Sequence, residues 1–416
     1  MTSAAPATPA QPHPHRWAML AGVWTIYAAF GLLSTSMAPL VTVIIADLGI
    51  NQAEMGSILG AWPLIYVGSA IPLGALLDRV GLRRGLLLCV AVMTLSGVLR
   101  SVANDYAMLF FAVAVFGLGA PLVSIGAPKL IAQWFGGTER GLAMGIYITG
   151  PAVGGVLSLS LTNAVLMPLF DQEWQLVLLT YAVVVFACGG LWWIVASHPE
   201  VRDREKREAA APRIPQLGVF AGLLKLRAVQ ILLVTSVGTF FFSHGLNNWL
   251  PAILQGHGMS AARAGFWASV PVLVGIGAAL TIPRLAIPSR RLWILAVLYA
   301  GAGLSAILLH SADEPLLFTG LFLQGATRMT MMTIGMLVLM ETRGVDPRHM
   351  GAAGGLFFSA AEIGGVLGPV SIGWMADMTG GFDAALSFLV GVSVFLLLLL
   401  IPLRADMRRA ARASAS

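Results

Sequence analysis

The chain has 416 residues, of which 57% are hydrophobic and only 11% are Asp, Glu, Lys or Arg. An ordinary soluble domain carries about 25% charged residues, and a mean hydropathy of +0.84 excludes a water-soluble fold. The net charge of +6 has no folded basic domain to carry it, so nucleic-acid binding is not its explanation.

In chain order, the first element is a tail over 1–16, rich in Ala, Pro and Thr. It lacks a basic stretch followed by a short apolar core and cleavage site, so it reads as disordered, with the first span as an uncleaved anchor. A membrane helix needs ~20 mostly apolar residues. Spans are expected near 17–44, 53–77, 84–103, 106–135, 140–166, 174–196, 228–254, 263–284, 291–310, 315–340, 351–376 and 383–403. With the N-terminus placed in the cytoplasm, twenty-one of the 25 Lys and Arg residues fall on the cytoplasmic side. This distribution predicts a multi-pass protein with both termini cytoplasmic. The abundance of Arg, Ala and Gly points to a bacterial inner membrane. Cys89 and Cys188 lie inside spans and read as small hydrophobes.

The sequence repeats itself at an interval of roughly 209 residues. The run from Gly49 to Gly56 reappears from Gly258 to Gly265; Pro63 and Gly68 answer to Pro271 and Gly277, and Gly154-Gly155 to Gly364-Gly365. The expected fold is therefore an all-α membrane protein of 12 transmembrane helices in two pseudo-symmetric six-helix bundles. Its bundles occupy 17–197 and 228–404, with a linker at 198–227 and a cytoplasmic tail at 405–416. The linker carries a charged run from Arg202 to Glu208, then Pro212 and Pro215, and reads as solvated, with a short interfacial helix near Leu223–Arg227.

After the second span comes Gly74-Ala-Leu-Leu-Asp78-Arg79-Val-Gly81-Leu-Arg83-Arg84. This resembles the signature of the major facilitator superfamily, and the six-plus-six repeat, linker and topology fit over the whole chain. Gly74 permits close helix approach, and Asp78 can pair with a base or cap a facing helix. Arg79, Arg83 and Arg84 hold the loop in the cytoplasm. The resemblance implies a latch between the two halves on the cytoplasmic side; the alternative is a plain topology determinant. In the second half the basic pair Arg290-Arg291 survives without the Asp.

The resemblance also implies a central cavity lined by spans 1, 4, 7 and 10. Arg328 lies roughly 20 Å deep in span 10, with Gln324 one turn away and Thr327 beside it. Its planar donor fork suits an oxyanion; the alternative is a structural ion pair with Glu362 or with another helix. Lys129 is ~9 Å from the end of span 4 and fits a substrate or gating role, a snorkelling cation or a latch contact. Glu362, near the middle of span 11, can bind and release protons if burial and a nearby Arg act on it together; otherwise it only packs. Thr235, Thr239, Ser243 and Asn247 are spaced by four along span 7, with His244 and Asn248 alongside, and suggest a cavity wall. His244 is a second proton candidate. Tyr27, Ser34, Thr35 and Ser36 of span 1 and Tyr147 of span 5 are further candidates. Arg100 is expected to anchor span 3 at the interface.

Pro128-Lys129-Leu-Ile and Trp249-Leu-Pro251, with Arg100, look most like the cyanate and nitroimidazole transporter branch, whose members handle small, mostly anionic substrates. The expected function is proton-coupled uptake of a small organic or inorganic anion by alternating access. Gly150-Pro-Ala-Val-Gly-Gly155 resembles the antiporter signature of drug exporters. The alternative is thus a proton-driven exporter of lipophilic or cationic compounds, with Glu362 as their counter-charge. The expected partners are a small anionic solute, protons and the lipid bilayer, with the chain acting as a monomer. Neither cofactor, metal nor catalytic cluster is expected, so the chain is not expected to be an enzyme.

Overall fold

The computed structural model describes residues 15–201, 205, 217–342, 344–345 and 350–412. The tail before His15 and most of the charged linker run, including Pro212 and Pro215, lie outside the described residues.

Twelve long helices and no strand occur among the described residues. They are α1 (Arg16–Leu48), α2 (Gln52–Val80), α3 (Leu82–Ser101), α4 (Tyr106–Trp134), α5 (Glu139–Leu169) and α6 (Trp174–Ala196) in the first half. The second half holds α7 (Arg227–Gly256), α8 (Ala261–Leu285), α9 (Arg291–Leu308), α10 (Glu314–Met340), α11 (Met350–Thr379) and α12 (Asp383–Arg412). Eleven are long and apolar enough to cross a membrane. The exception is α10, whose 27 residues are interrupted by Gln324, Thr327, Arg328, Thr330 and Thr333. The helix that departs from the apolar pattern is the one with a central arginine. Large apolar side chains such as Phe186, Ile194 and Trp293 point outwards, as lipid-facing positions require.

Three details differ from the sequence reading. Helix α1 breaks at Ser36, resumes as a tight turn at Ala38–Leu40 and runs on to Leu48. The short linker helix spans Leu217–Leu224, earlier than expected. Helix α12 continues to Arg412, so most of the expected tail is helical.

The repeat is visible atom by atom. Asn51 caps α2 by accepting from Glu54 N (2.8 Å), and Ser260, its counterpart, caps α8 by accepting from Arg263 N (3.3 Å). A Cβ on Gly154 would fall on the backbone of Ala28, and one on Gly364 on the backbone of Val237, the equivalent place in the other half. These contacts seat α5 against α1 and α11 against α7. Gly154→Val should therefore lower the melting temperature sharply, since inserting atoms into a packed contact costs about 1–3 kcal/mol or more. Gly145→Val, with nothing within 4 Å, should leave it unchanged; equal melting curves for the two variants would refute this packing.

The start of α1 at Arg16 and the end of α12 at Arg412 lie on one face, the near face; the α1–α2 and α7–α8 turns lie on the far face. The halves join mainly through α2 against α11 and α5 against α8. Both joints sit towards the far face, where Gly56 meets Pro369 and Gly265 meets Leu159, again a repeat-related pair. Hydrogen bonds between the halves, among the described residues, occur at the far face too: Thr42 to Gln255, Gln52 and Ala53 to Asp377, and Asn163 to Ala261. Among the described residues, the hydrogen bonds that join the halves gather at the far face, and none of them lies at the near one.

Candidate functional site

Arg328 projects from α10 at mid-height. Its Nη1 donates to Asn247 Oδ1 of α7 (2.7 Å), while Nε has no partner. Helix α10 packs against α8 and α9 on one side and α7 on the other, so the half-exposed side chain meets the gap between the halves. Among the described residues no carboxylate pairs with it, and the expected alternative of an Arg328–Glu362 ion pair is not what the structure contains.

Glu362 occupies a second polar point on α11. It is 7% exposed and its Oε2 has no partner. A Cβ built on Gly365 would stand 2.6 Å from Glu362 Oε2, 3.0 Å from His244 Nδ1 and 3.3 Å from Pro63 Cβ. Gly365 therefore leaves the space in which the carboxyl, the imidazole and the other half of the molecule converge. His244 stacks on Phe240 (4.8 Å between centroids) and approaches Trp62 of α2 (5.7 Å).

The opposing wall, from the first half, is aromatic. Tyr27 of α1 and Tyr147 of α5 stack nearly parallel, 5.7 Å apart and 8° inclined. Phe30 lies next to Tyr27, and Phe116 and Trp62 back it. Tyr66 bonds to Ser124 (2.9 Å), and Trp24 Nε1 donates to Thr149 (3.0 Å).

Other sequence-predicted residues fall elsewhere. Gln324 is fully buried one turn towards the far face, its amide unpartnered. Asn248 turns back to donate to His244 O (2.9 Å), and Thr235 and Thr239 donate to carbonyls four residues earlier. Of the expected α7 stripe, Asn247 and His244 reach the gap, because a spacing of four drifts round a 3.6-residue helix. Lys129 lies at the near face and donates to Asp78 Oδ1 (2.7 Å), away from Arg328. Around it sit Gly74, facing Ile125 of α4, exposed Arg79 and Arg84, and Gly81 at φ +82°. The Arg83 N–H donates to Glu205 of the linker (2.8 Å), and its guanidinium covers Trp193.

Arg100 is a correction. It does not sit at the interface but is 1% exposed, donating to Leu33 O (2.9 Å) and Ser36 Oγ (3.2 Å) and lying over Phe116. The break in α1 frees carbonyls there, and a cation suits a helix C-terminus.

Sequence reasoning missed the far-face lock. Asp377, at the end of α11, accepts from Gln52 N (3.0 Å) and Ala53 N (2.6 Å). With Asn51 bound to Glu54 N, three orphan amides at the start of α2 are satisfied, two of them by the other half. Asn163, in a π turn of α5, bridges Pro39 O (2.8 Å) and Ala261 O (3.4 Å). Losing an Asp cap costs about 0.5–2 kcal/mol. Asp377→Ala should then open the far face roughly 2–30-fold more often. Faster labelling of Val41→Cys, a position 1% exposed beside Trp249 and Ala252 at this face, by an impermeant maleimide, with Cys89 and Cys188 replaced, would report it; an unchanged rate would dismiss the lock.

The profile of the Major Facilitator Superfamily matches residues 23–369. The chain is 25% identical over 400 residues to the probable galactarate/D-glucarate transporter GudP of Escherichia coli, covering 85% of each. It is 26% identical to the quinolone resistance transporter of Acinetobacter baumannii, covering 88% of each. It is also 26% identical to the 2-nitroimidazole transporter of Escherichia coli, covering 93% of this chain and 94% of that one. The crystal structure of the nucleoside transporter NupG superposes with a TM-score of 0.77 at 14% identity, covering 92% and 99% of the two chains, which supports the fold alone. With its helical halves, central gap and signature loop, the chain belongs to the Major Facilitator Superfamily and is a multi-pass membrane transporter of small molecules, not an enzyme.

Proposed function

We propose that the protein takes up a small anion together with a proton by alternating access. The observation that carries this is Arg328: an obligatory cation at mid-membrane, facing the gap, held by one neutral amide and, among the described residues, matched by no carboxylate. Such a charge in a membrane interior is expensive, by at least ~2.5–3.5 kcal/mol on insertion scales, and an incoming anion offsets the cost. Asn247 orients the guanidinium, and Glu362 with His244 takes the proton. The likeness to a probable galactarate/D-glucarate transporter agrees with an anionic cargo.

The positive-inside distribution favours a cytoplasmic near face in a bacterial inner membrane, and on that reading this conformation is inward-open and the chain works as a monomer. In that state Asp78 holds Lys129 within its own half. When the near face closes, Asp78 exchanges Lys129 for the facing end of the other half, and the Asp377 lock releases. In proteoliposomes, an inward proton gradient should accelerate uptake of labelled carboxylates and alkalinise the outer medium. A gradient that moved no anion but expelled cationic dyes would establish the exporter reading instead, which the aromatic wall and the unpaired Glu362 would also serve.

A further inference from the structure

We infer that the cargo is an aryl monocarboxylate, a planar ring bearing one carboxylate; this rests on the anion reading above and specifies it. Among the described residues, Arg328 is the cation of the gap that no carboxylate answers. Among the described residues, Lys129 is tied to Asp78 at the near face, and Arg100 is sealed behind Phe116 against Leu33 and Ser36. Arg328 alone faces the space between the halves. Its fork matches a single carboxylate, and a dianion would leave its second charge beside rings and the Glu362 carboxyl.

The rest of the lining suits a flat apolar body. Half-buried Tyr27 and Phe30 form one ring cluster with buried Trp62 in one half, and half-buried Phe240 stacks on His244 in the other. Met332 and Met336 follow Arg328 by four and eight residues on α10 and are half-buried; they lie about 40° and 80° round the helix from it, with Met336 reaching Gly354 of α11. Thioethers adapt to rings of varied outline, and aromatic faces favour offset or edge-on partners. A polyhydroxylated acid would fit poorly. On the aromatic side two polar pairs are already made, Tyr66 with Ser124 and Trp24 with Thr149. Sugar hydroxyls placed against these two pairs would lose water without finding replacements. The carboxylate end meets Arg328 and Asn247, and the ring lies between Phe30 and the methionines.

The test compares three labelled probes in proteoliposomes, with protein-free vesicles subtracted: benzoate, gluconate and succinate. Benzoate should enter at least about tenfold faster than either aliphatic acid, and Phe30→Leu should raise its KM about 2–10-fold while leaving the melting temperature in place. Arg328-dependent uptake of succinate or gluconate in preference to benzoate would overturn the aryl assignment and leave the anion reading standing. Uptake of none of the three, with Arg328→Gln and wild type alike, would remove the anion reading itself. Unselective uptake of all three, or a Phe30→Leu variant with unaltered benzoate kinetics, also refutes the aryl site.

Discussion

Arg328→Gln is expected to abolish anion uptake while leaving a folded, membrane-inserted protein. Glutamine is shorter and neutral but still carries an amide that can bond to Asn247, which now holds the Arg328 Nη1 at 2.7 Å. What disappears is the charge and the planar fork. Removing one partner of a buried, hydrogen-bonded charge pair costs about 2–5 kcal/mol, or roughly 30- to 5,000-fold in kcat/KM. Stability should hardly fall, because among the described residues Arg328 forms no ion pair, and its Nε is unpartnered. Replacing an uncompensated interior charge by a neutral group is often neutral or stabilising. Arg328→Lys keeps the charge without the fork and should fall between the two. Initial rates in proteoliposomes, read beside melting curves, decide the matter: uptake within twofold of wild type would take Arg328 out of the binding site.

The fold was legible because membrane helices announce themselves by length and composition, and because one half restates the other. Asn51 and Ser260, about 209 residues apart, cap α2 and α8 in the same manner. Gly154 and Gly364 admit the same backbone approach in each half. Arg328, Glu362 and His244 stood out because a polar group in an apolar helix is costly unless something answers it. What could not be read was anything that depends on which helix lies opposite. Asp377 sits 325 residues from the amide it caps, and nothing near it in sequence marks it as a lock. Arg100 looked like an interfacial anchor because it ends a span; its burial follows from a break in α1, whose carbonyls it serves. The α7 stripe misled in the opposite direction. Thr235 and Thr239 satisfy themselves on their own helix, as hydroxyls in apolar helices commonly do. The aromatic wall went unrecognised since Tyr27, Phe30, Trp62 and Tyr147 come from three helices, and only their ring contacts unite them.

Glu362→Gln should uncouple transport from the proton gradient. The carboxyl sits where α11 meets α2, with Oε2 unpartnered, beside His244 Nδ1 and against Pro63. That joint is part of the far-face closure. When α2 and α11 part, Glu362 gains access to the far side; when they meet, Pro63 and Trp62 cover it. A carboxylate sealed there without a cation loses its hydration uncompensated, so the proton-loaded carrier closes more readily than the empty one. Binding a proton at one face and releasing it at the other is then tied to the same motion that carries the anion past Arg328. Glutamine copies the neutral shape permanently and removes the tie. A gradient of one pH unit supports about tenfold accumulation under one-to-one coupling, the equivalent of 1.4 kcal/mol; in Glu362→Gln that accumulation should vanish. Exchange of internal for external anion, which needs no net proton movement, should continue at a comparable rate. If the gradient still drives accumulation in Glu362→Gln but fails in His244→Gln, the imidazole is the carrier and the carboxyl merely packs. Loss of both exchange and accumulation would instead place Glu362 in the binding of the anion itself.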